Sequence, residues 1–143
     1  GFKTPIINSF GAASPALLEQ AGKSAEGTYV STMRLLIPDQ LPESDPLREV
    51  VSNIAKLYRE QVKQPVTTFV GNAHDAVKLM ELAVKKINGP VSREGIANAI
   101  KSGVSFPGCN GMMAYSATNH GGQDDTLSPV VMVQIKNGKF VPA

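Results

Sequence analysis

Apolar residues recur at helical spacing through Phe69–Ile87 (FVGNAHDAVKLMELAVKKI). Ala73, Ala76, Val77, Met80, Ala83, Val84 and Ile87 stand three and four apart, which lines them up as one stripe on a helix. Lys78, Glu81, Lys85 and Lys86 fall off the stripe and are free to face water. Asn88-Gly89-Pro90 ends the helix, glycine by a left-handed cap and proline by forbidding continuation. The alanines in the stripe permit close approach, and a parallel sheet would suit it. A second stripe, Leu47, Val50, Val51, Ile54, Leu57, Tyr58 and Val62, predicts a helix that opens at Asp45-Pro46 and closes at Lys63-Gln64-Pro65. Shorter helices are expected at Pro15–Gln20 after Ser14, and at Arg93–Lys101 after Ser92, the latter with Ile96, Ala97 and Ile100 inward.

Between the helices the pattern changes to that of strands. Thr4–Ile7, Thr28–Leu36, Gly111–Ser116 and Pro129–Ile135 carry the strand signals, and Asn137-Gly138 is a two-residue hairpin turn leading to Lys139–Val141. Ser102–Cys109 reads as a turn through Gly103, Pro107 and Gly108. Ala117–Asp125 reads as a polar loop. Ile37–Ser44 (IPDQLPES), with its prolines and acids, reads as an extended connection and the best candidate for a hinge. A strand, a polar loop (Asn8–Ala13) and a helix opening is the arrangement that puts ligand-contacting loops at the carboxyl ends of strands in α/β folds. The expected class is therefore α/β.

Composition narrows the function. The chain has 143 residues, enough for a real core. Its net charge is +2 with the basic residues scattered, which argues against a nucleic-acid surface. No apolar run approaches a membrane span and no signal peptide is visible. The chain opens without a methionine, so it reads as a mature product or a fragment. Cys109 is the single cysteine, so no internal disulfide forms.

The candidate chemical groups have plain structural explanations. His74-Asp75 lies at the edge of the apolar stripe in the helix's first turn, where Asp75 meets the amino-terminal dipole. Metal binding would need converging ligands that are not adjacent in sequence. His120, in Thr118-Asn119-His120-Gly121-Gly122, belongs to a turn whose side chains bond their own backbone. Cys109 reads as a buried inert thiol, with no local nucleophile elbow. Gly108-Cys109-Asn110-Gly111 lacks the lysine and the following helix of a phosphate loop. Phe10-Gly11 stays open between two readings: packing, or the apolar wall and backbone approach of a small-molecule site.

Taken in order, G-F-K-T-P-I-I, S-P-A-L-L-E-Q-A-G-K-S-A-E-G-T-Y-V, N-A-H-D-A-V-K-L-M-E-L-A-V, G-M-M-A-Y-S-A-T-N-H-G-G and V-Q-I-K-N-G-K-F-V resemble the carboxyl-terminal part of a type I periplasmic binding protein. The branched-chain amino-acid (Leu/Ile/Val) receptors of ABC transporters are the most similar members. The resemblance implies part of a fold with two lobes, Rossmann-like parallel sheets flanked by helices, and a ligand cleft between them. It assigns 1–36 and 129–143 to the second lobe and 37–128 to the first, with crossings at Ile37–Ser44 and Asp124–Ser128. It implies a ligand-facing loop containing Ser9, Phe10 and Gly11, and a cleft edge at Phe69–Asn72 from which Phe69 or Asn72 reaches the ligand. In amino-acid-binding members an acid matching Phe10 pairs with the ligand ammonium. Phenylalanine cannot, and an unpaired buried ammonium costs several kcal/mol, so an aromatic acid, small amide or carboxylate suits this chain better.

The implied protein is a periplasmic or lipoprotein-anchored solute receptor. It does no chemistry, needs no cofactor, and docks on a membrane permease. A part standing alone is expected to self-associate through exposed strand edges. The rivals are a ligand-sensing domain of a signalling receptor, and an amidohydrolase using Cys109 or His120.

Overall fold

The computed structural model describes residues 3–124 and 126–143. Gly1 and Phe2, which open the first family-like motif, and Asp125, inside the expected second crossing, lie outside them. The elements in chain order are β1 (Ile7–Asn8), α1 (Pro15–Ala21), β2 (Tyr29–Met33), α2 (Arg48–Val62), α3 (Thr68–Lys85), α4 (Arg93–Lys101), β3 (Val104–Gly108), β4 (Gly111–Tyr115), β5 (Val130–Lys136) and β6 (Lys139–Pro142). β1, β2, β5 and β6 form one sheet in that order, and β3 and β4 form a separate hairpin. Only β1 and β2 run parallel; β2–β5, β5–β6 and β3–β4 are antiparallel.

The main sheet buries one face by strict alternation. Val30 and Thr32 on β2 and Val133 and Ile135 on β5 have no exposed surface, as period-two patterning requires. Val30, Val133 and Ile135 meet Leu35 beyond β2, Leu47 just before α2, and Val51 and Ala55 of α2 in one core. Asn137 (φ 53°) and Gly138 (φ 68°) are both left-handed, as the expected two-residue hairpin turn demands. The Glu26 carboxylate accepts both of their amides and fixes that turn. Ser92 caps α4 as expected, its hydroxyl accepting the Gly95 amide at 3.0 Å.

Several boundaries differ from expectation for local reasons. Ser102–Cys109 contains strand β3 rather than a turn alone. Val104 and Phe106 point inward while Ser105 and Pro107 point out, and a two-stranded hairpin tolerates proline because each strand is an edge. The first strand shrinks to Ile7–Asn8, and the second ends at Met33, where Arg34–Leu36 winds into a 3-10 turn. Ile37–Ser44 likewise contains a 3-10 turn at Pro38–Gln40. α2 opens at Arg48, two residues after Pro46, because Asp45 first makes a turn of its own. Its Oδ1 accepts the Leu47 amide at 2.9 Å and its carbonyl accepts the Arg48 amide at 3.1 Å.

Asp45 also joins the two halves of the chain. Its Oδ2 takes the Arg34 Nε–H at 2.8 Å, and Arg34 Nη1 donates to the Ser128 carbonyl at 2.8 Å. Arg34 is buried, so its charge depends on these two acceptors. Gln40 adds a bond to the Phe140 carbonyl of β6 at 2.9 Å.

The largest departure concerns α3. Its buried residues are Thr68, Gly71, Asp75 and Ala83, while Val77 is 70% exposed and Met80 and Val84 are also exposed. The helix is therefore turned so that much of its apolar stripe faces away from the core. Asp75 lies about two turns inside α3 rather than at its first turn. Its two oxygens accept the backbone amides of Cys109 (2.8 Å) and Asn110 (3.0 Å) at the tip of the β3–β4 hairpin. Glycines make the approach possible: a Cβ on Gly108 would sit 2.7 Å from Asp75 Oδ2, and one on Gly71 2.8 Å from Asn110 Oδ1.

Replacing Asp75 by alanine orphans two buried amides and opens a cavity. The expected loss is about 2–4 kcal/mol, read from urea unfolding of the 143-residue chain. A change below about 0.5 kcal/mol would show that the clamp contributes nothing to the fold.

Candidate ligand-binding site

The loop that follows β1 is wound tightly. The Ala12 amide bonds the Ser9 carbonyl and the Ala13 amide bonds the Phe10 carbonyl, both at 3.0 Å. Asn8 Nδ2 reaches the Tyr29 carbonyl at 3.3 Å and ties the loop to β2. This holds Phe10 half-buried, with Ser9 and Gly11 exposed beside it. A Cβ on Gly11 would meet only Ser9 Oγ, at 3.9 Å. Crowding does not require glycine there; its absent side chain leaves the backbone open to a ligand.

Phe69 and Asn72 lie in the first turns of α3. Phe69 is 68% exposed. Asn72 Oδ1 accepts a bond from Asn110 Nδ2, which leaves Asn110 Oδ1 buried without a partner against the Gly71 backbone. Asn72 also opens onto a cavity of about 270 Å³ shared with Met33, Asn110, Met113, Tyr115 and Gln123. Ser9, Phe10, Gly11 and Phe69 do not line it, so the five expected ligand residues form two separate surfaces here rather than one enclosed site. Met33, Asn110 and Tyr115 were not expected. Met33 stands at the carboxyl end of β2, where the rule that drew attention to the β1 loop applies equally. Asn110 and Tyr115 carry no sequence signal of their own; the hairpin fold brings them in.

A second cluster is assembled by the fold from groups that are apart in the sequence. His74 Nδ1 lies 3.0 Å from Asp75 Oδ1 and 3.7 Å from Cys109 Sγ. A ligand atom from each of the three falls within 4.8 Å of the others, close enough to hold a metal ion. A pairing of Cys109 with a histidine was conceivable from the sequence but had no local support, because the 35 positions separating it from His74 are closed only by the hairpin. Yet Asp75 already serves two backbone amides. The Cys109 thiol is pushed up to about 12, mainly by burial and further by the Asp75 charge, so it is protonated at neutral pH and a poor nucleophile or metal ligand. The cluster is well suited to holding the hairpin tip. His120 behaves as expected for a turn: its Nε2 lies 3.0 Å from the Ala117 carbonyl, and Asn119 bonds the carbonyls of Ala114 and Gln123.

Cys109 should accordingly react with iodoacetamide at pH 8 at least roughly a hundredfold more slowly than free cysteine, reaching the free rate only in denaturant. Native labelling at the free-cysteine rate, followed by mass spectrometry, would show an accessible thiolate instead.

Comparison with known proteins bears on what this geometry serves. No curated protein sequence matches the chain. Among solved structures it is similar to Rp1789 of Rhodopseudomonas palustris CGA009, at 26% identity and a TM-score of 0.85. It is also similar to an extracellular ligand-binding receptor from R. palustris HaA2, at 25% identity and a TM-score of 0.83. The match covers 100% of this chain and 42% of each of those. A leucine binding protein from Thermotoga maritima shares the fold at 24% identity and a TM-score of 0.70, over 100% of this chain and 37% of that one. The chain thus spans well under half the length of these relatives and represents part of their two-lobed α/β fold. The periplasmic binding protein family matches residues 1–139. That family is made of extracytoplasmic solute-binding proteins, which are not enzymes. With nearly the whole chain matched and the fold shared throughout, the chain belongs to the periplasmic binding protein family.

Proposed function

We propose that this chain is part of the solute receptor of an ABC uptake system of the branched-chain amino-acid type, working outside the cytoplasm and delivering a small organic solute to a membrane permease. The observation that carries this reading is the Ser9–Gly11 loop. It stands at the carboxyl end of β1 with a half-buried aromatic and an unobstructed glycine side by side, within a chain of this family.

In this reading 1–36 and 129–143 contribute to the second lobe and 37–128 to the first. The division agrees with the main sheet, whose strands all come from the first set, and with the hairpin and α2–α4, which all come from the second. The segments crossing between lobes are then Ile37–Ser44 and Asp124–Ser128, and the buried Arg34 bonds Asp45 just beyond one and Ser128 at the end of the other. Ligand closes the lobes by favouring the closed population. Phe10 forms an apolar wall, Ser9 and the Gly11 backbone supply polar contacts, and Phe69 and Asn72 approach from the opposite lobe. Phe10 offers no charge to an ammonium, so the favoured solute is an aromatic acid.

Two measurements test this on the complete receptor. A thermal-shift screen of amino acids, aromatic acids, dicarboxylates and amides should find its hit among aromatic acids, since ligand at a hundred times its Kd adds about 2.7 kcal/mol. A hit confined to amino acids would refute the inference from Phe10. In calorimetry, Phe10→Glu should weaken an aromatic carboxylate at least roughly tenfold, one lost stacking contact being worth about 1 kcal/mol before repulsion is added. Unchanged affinity would remove Phe10 from the site.

A further inference from the structure

Three Asn-Gly pairs occur in the chain: Asn88-Gly89, Asn110-Gly111 and Asn137-Gly138. The pair has a chemistry of its own. Glycine puts no side chain in the way when its backbone nitrogen attacks the preceding asparagine side chain, and asparagine is one of the thermolabile residues. In an unfolded chain the three pairs are nearly equivalent. The fold treats them differently.

Asn110 is enclosed. It is buried, its amide donates to Asp75 Oδ2 at 3.0 Å, and its Nδ2 donates to Asn72 Oδ1. Gly111 pairs with Gly108 across the hairpin. Neither the side-chain carbon nor the attacking nitrogen is free to swing toward the other. Asn137 is exposed but held at the nitrogen. The Gly138 amide donates to Glu26 Oε1 at 2.6 Å and the Asn137 amide to Oε2 at 2.9 Å. Attack requires the Gly138 nitrogen to lose its proton, and a carboxylate beside it opposes the negative charge that results. The same two bonds keep both residues in the left-handed turn.

Asn88-Gly89 has neither protection. Both residues are exposed, in the irregular link between α3 and α4. Among the described residues, no hydrogen bond holds the Asn88 side chain or the Gly89 amide. A Cβ on Gly89 would meet nothing within 4 Å, so the space around the link is open. The nearest charged residues in sequence are Lys85 and Lys86, whose positive charge favours an amide anion rather than opposing it.

We propose that Asn88 is a site of spontaneous covalent modification, converting to isoaspartate and aspartate in the folded protein, while the fold holds the other two pairs shut. The Gly89 nitrogen gives its proton to solvent base and bonds to Asn88 Cγ. The Cγ–Nδ2 bond breaks and ammonia leaves, closing a succinimide ring. Water then opens the ring: at Cγ it yields aspartate, at the main-chain carbonyl isoaspartate. Nothing is oxidised or reduced. Isoaspartate routes the backbone through the side chain and adds a methylene to the link. That link is stretched between fixed points, the Ile87 amide on the Val84 carbonyl at 3.0 Å and the Ser92 cap of α4. The added length therefore falls on the docking of α4 against α3. The new carboxylate also stands just past the carboxyl end of α3, where the helix dipole disfavours an anion. The inference does not depend on what solute the protein binds.

The complete protein encoded by the gene is aged in mildly alkaline buffer, with a parallel sample unfolded in urea. Both are digested, and the asparagine peptides are separated and followed by mass spectrometry. Asn88→Asp marks the aspartate product. Asn88 should convert within a few-fold of its rate in urea, mostly to isoaspartate. Asn110 and Asn137 should convert at least roughly tenfold more slowly than in urea, since their reaction waits on local opening. Protection of Asn88 equal to that of the other two overturns the proposal, as does conversion without isoaspartate. Glu26→Ala should bring Asn137 toward its rate in urea and leave Asn88 unchanged. Asn110, which Glu26 does not touch, stays slow in that variant and shows that it is folded. An Asn137 rate unaltered by Glu26→Ala overturns the account of how that pair is held shut.

Discussion

The carboxylate of Asp75 decides how the helical half of the molecule is assembled. A buried carboxylate must find donors or lose several kcal/mol, and besides the neighbouring His74 ring nitrogen it meets the two amides at the hairpin tip. Meeting them fixes the rotation of α3 about its own axis. Gly71 and Gly108 then have to lack side chains, because either Cβ would collide across the contact. Cys109 is enclosed beside the carboxylate, where desolvation keeps its thiol protonated. The same rotation turns Val77, Met80 and Val84 outward. One polar contact thus explains a tight hairpin, an inert cysteine and a bare apolar helix face.

The buried Arg34 does comparable work at the junction of the sheet and the helices. It has left β2 but not yet reached α2, and its guanidinium bonds Asp45 ahead of α2 and Ser128 ahead of β5. Chain segments that lie 94 positions apart are brought to one side chain. The Ser9–Gly11 loop sits on the sheet side of this junction, and the Asn72 cavity on the helical side.

Much of this was legible in the chain because it rests on local physics. Ser92 announced α4, Lys63-Gln64-Pro65 the end of α2, and Asn137-Gly138 the hairpin that closes the sheet, since caps and left-handed turns depend on the residues at hand. The order of motifs sufficed to suggest the family. β3 was hidden by Pro107 and Gly108, whose turn preference outweighs the Val104–Phe106 alternation in any local reading. The loop after β1 drew attention from its place after a strand, whereas Met33, Asn110 and Tyr115 did not, because what gathers them around Asn72 is the hairpin's docking on α3.

The sequence by itself determined the four helices and most of the strands, β3 excepted, since period, capping and turn chemistry act over a few residues. It also determined that Phe10 brings no charge to the loop after β1. Only the tertiary structure decided which side of α3 is inside. An apolar stripe is a demand for burial that names no partner, and here the buried carboxylate of Asp75, held by amides some 35 positions away, sets which side of α3 meets the hairpin. That side meets the hairpin because turning it to any other apolar neighbour would strand a buried polar side chain.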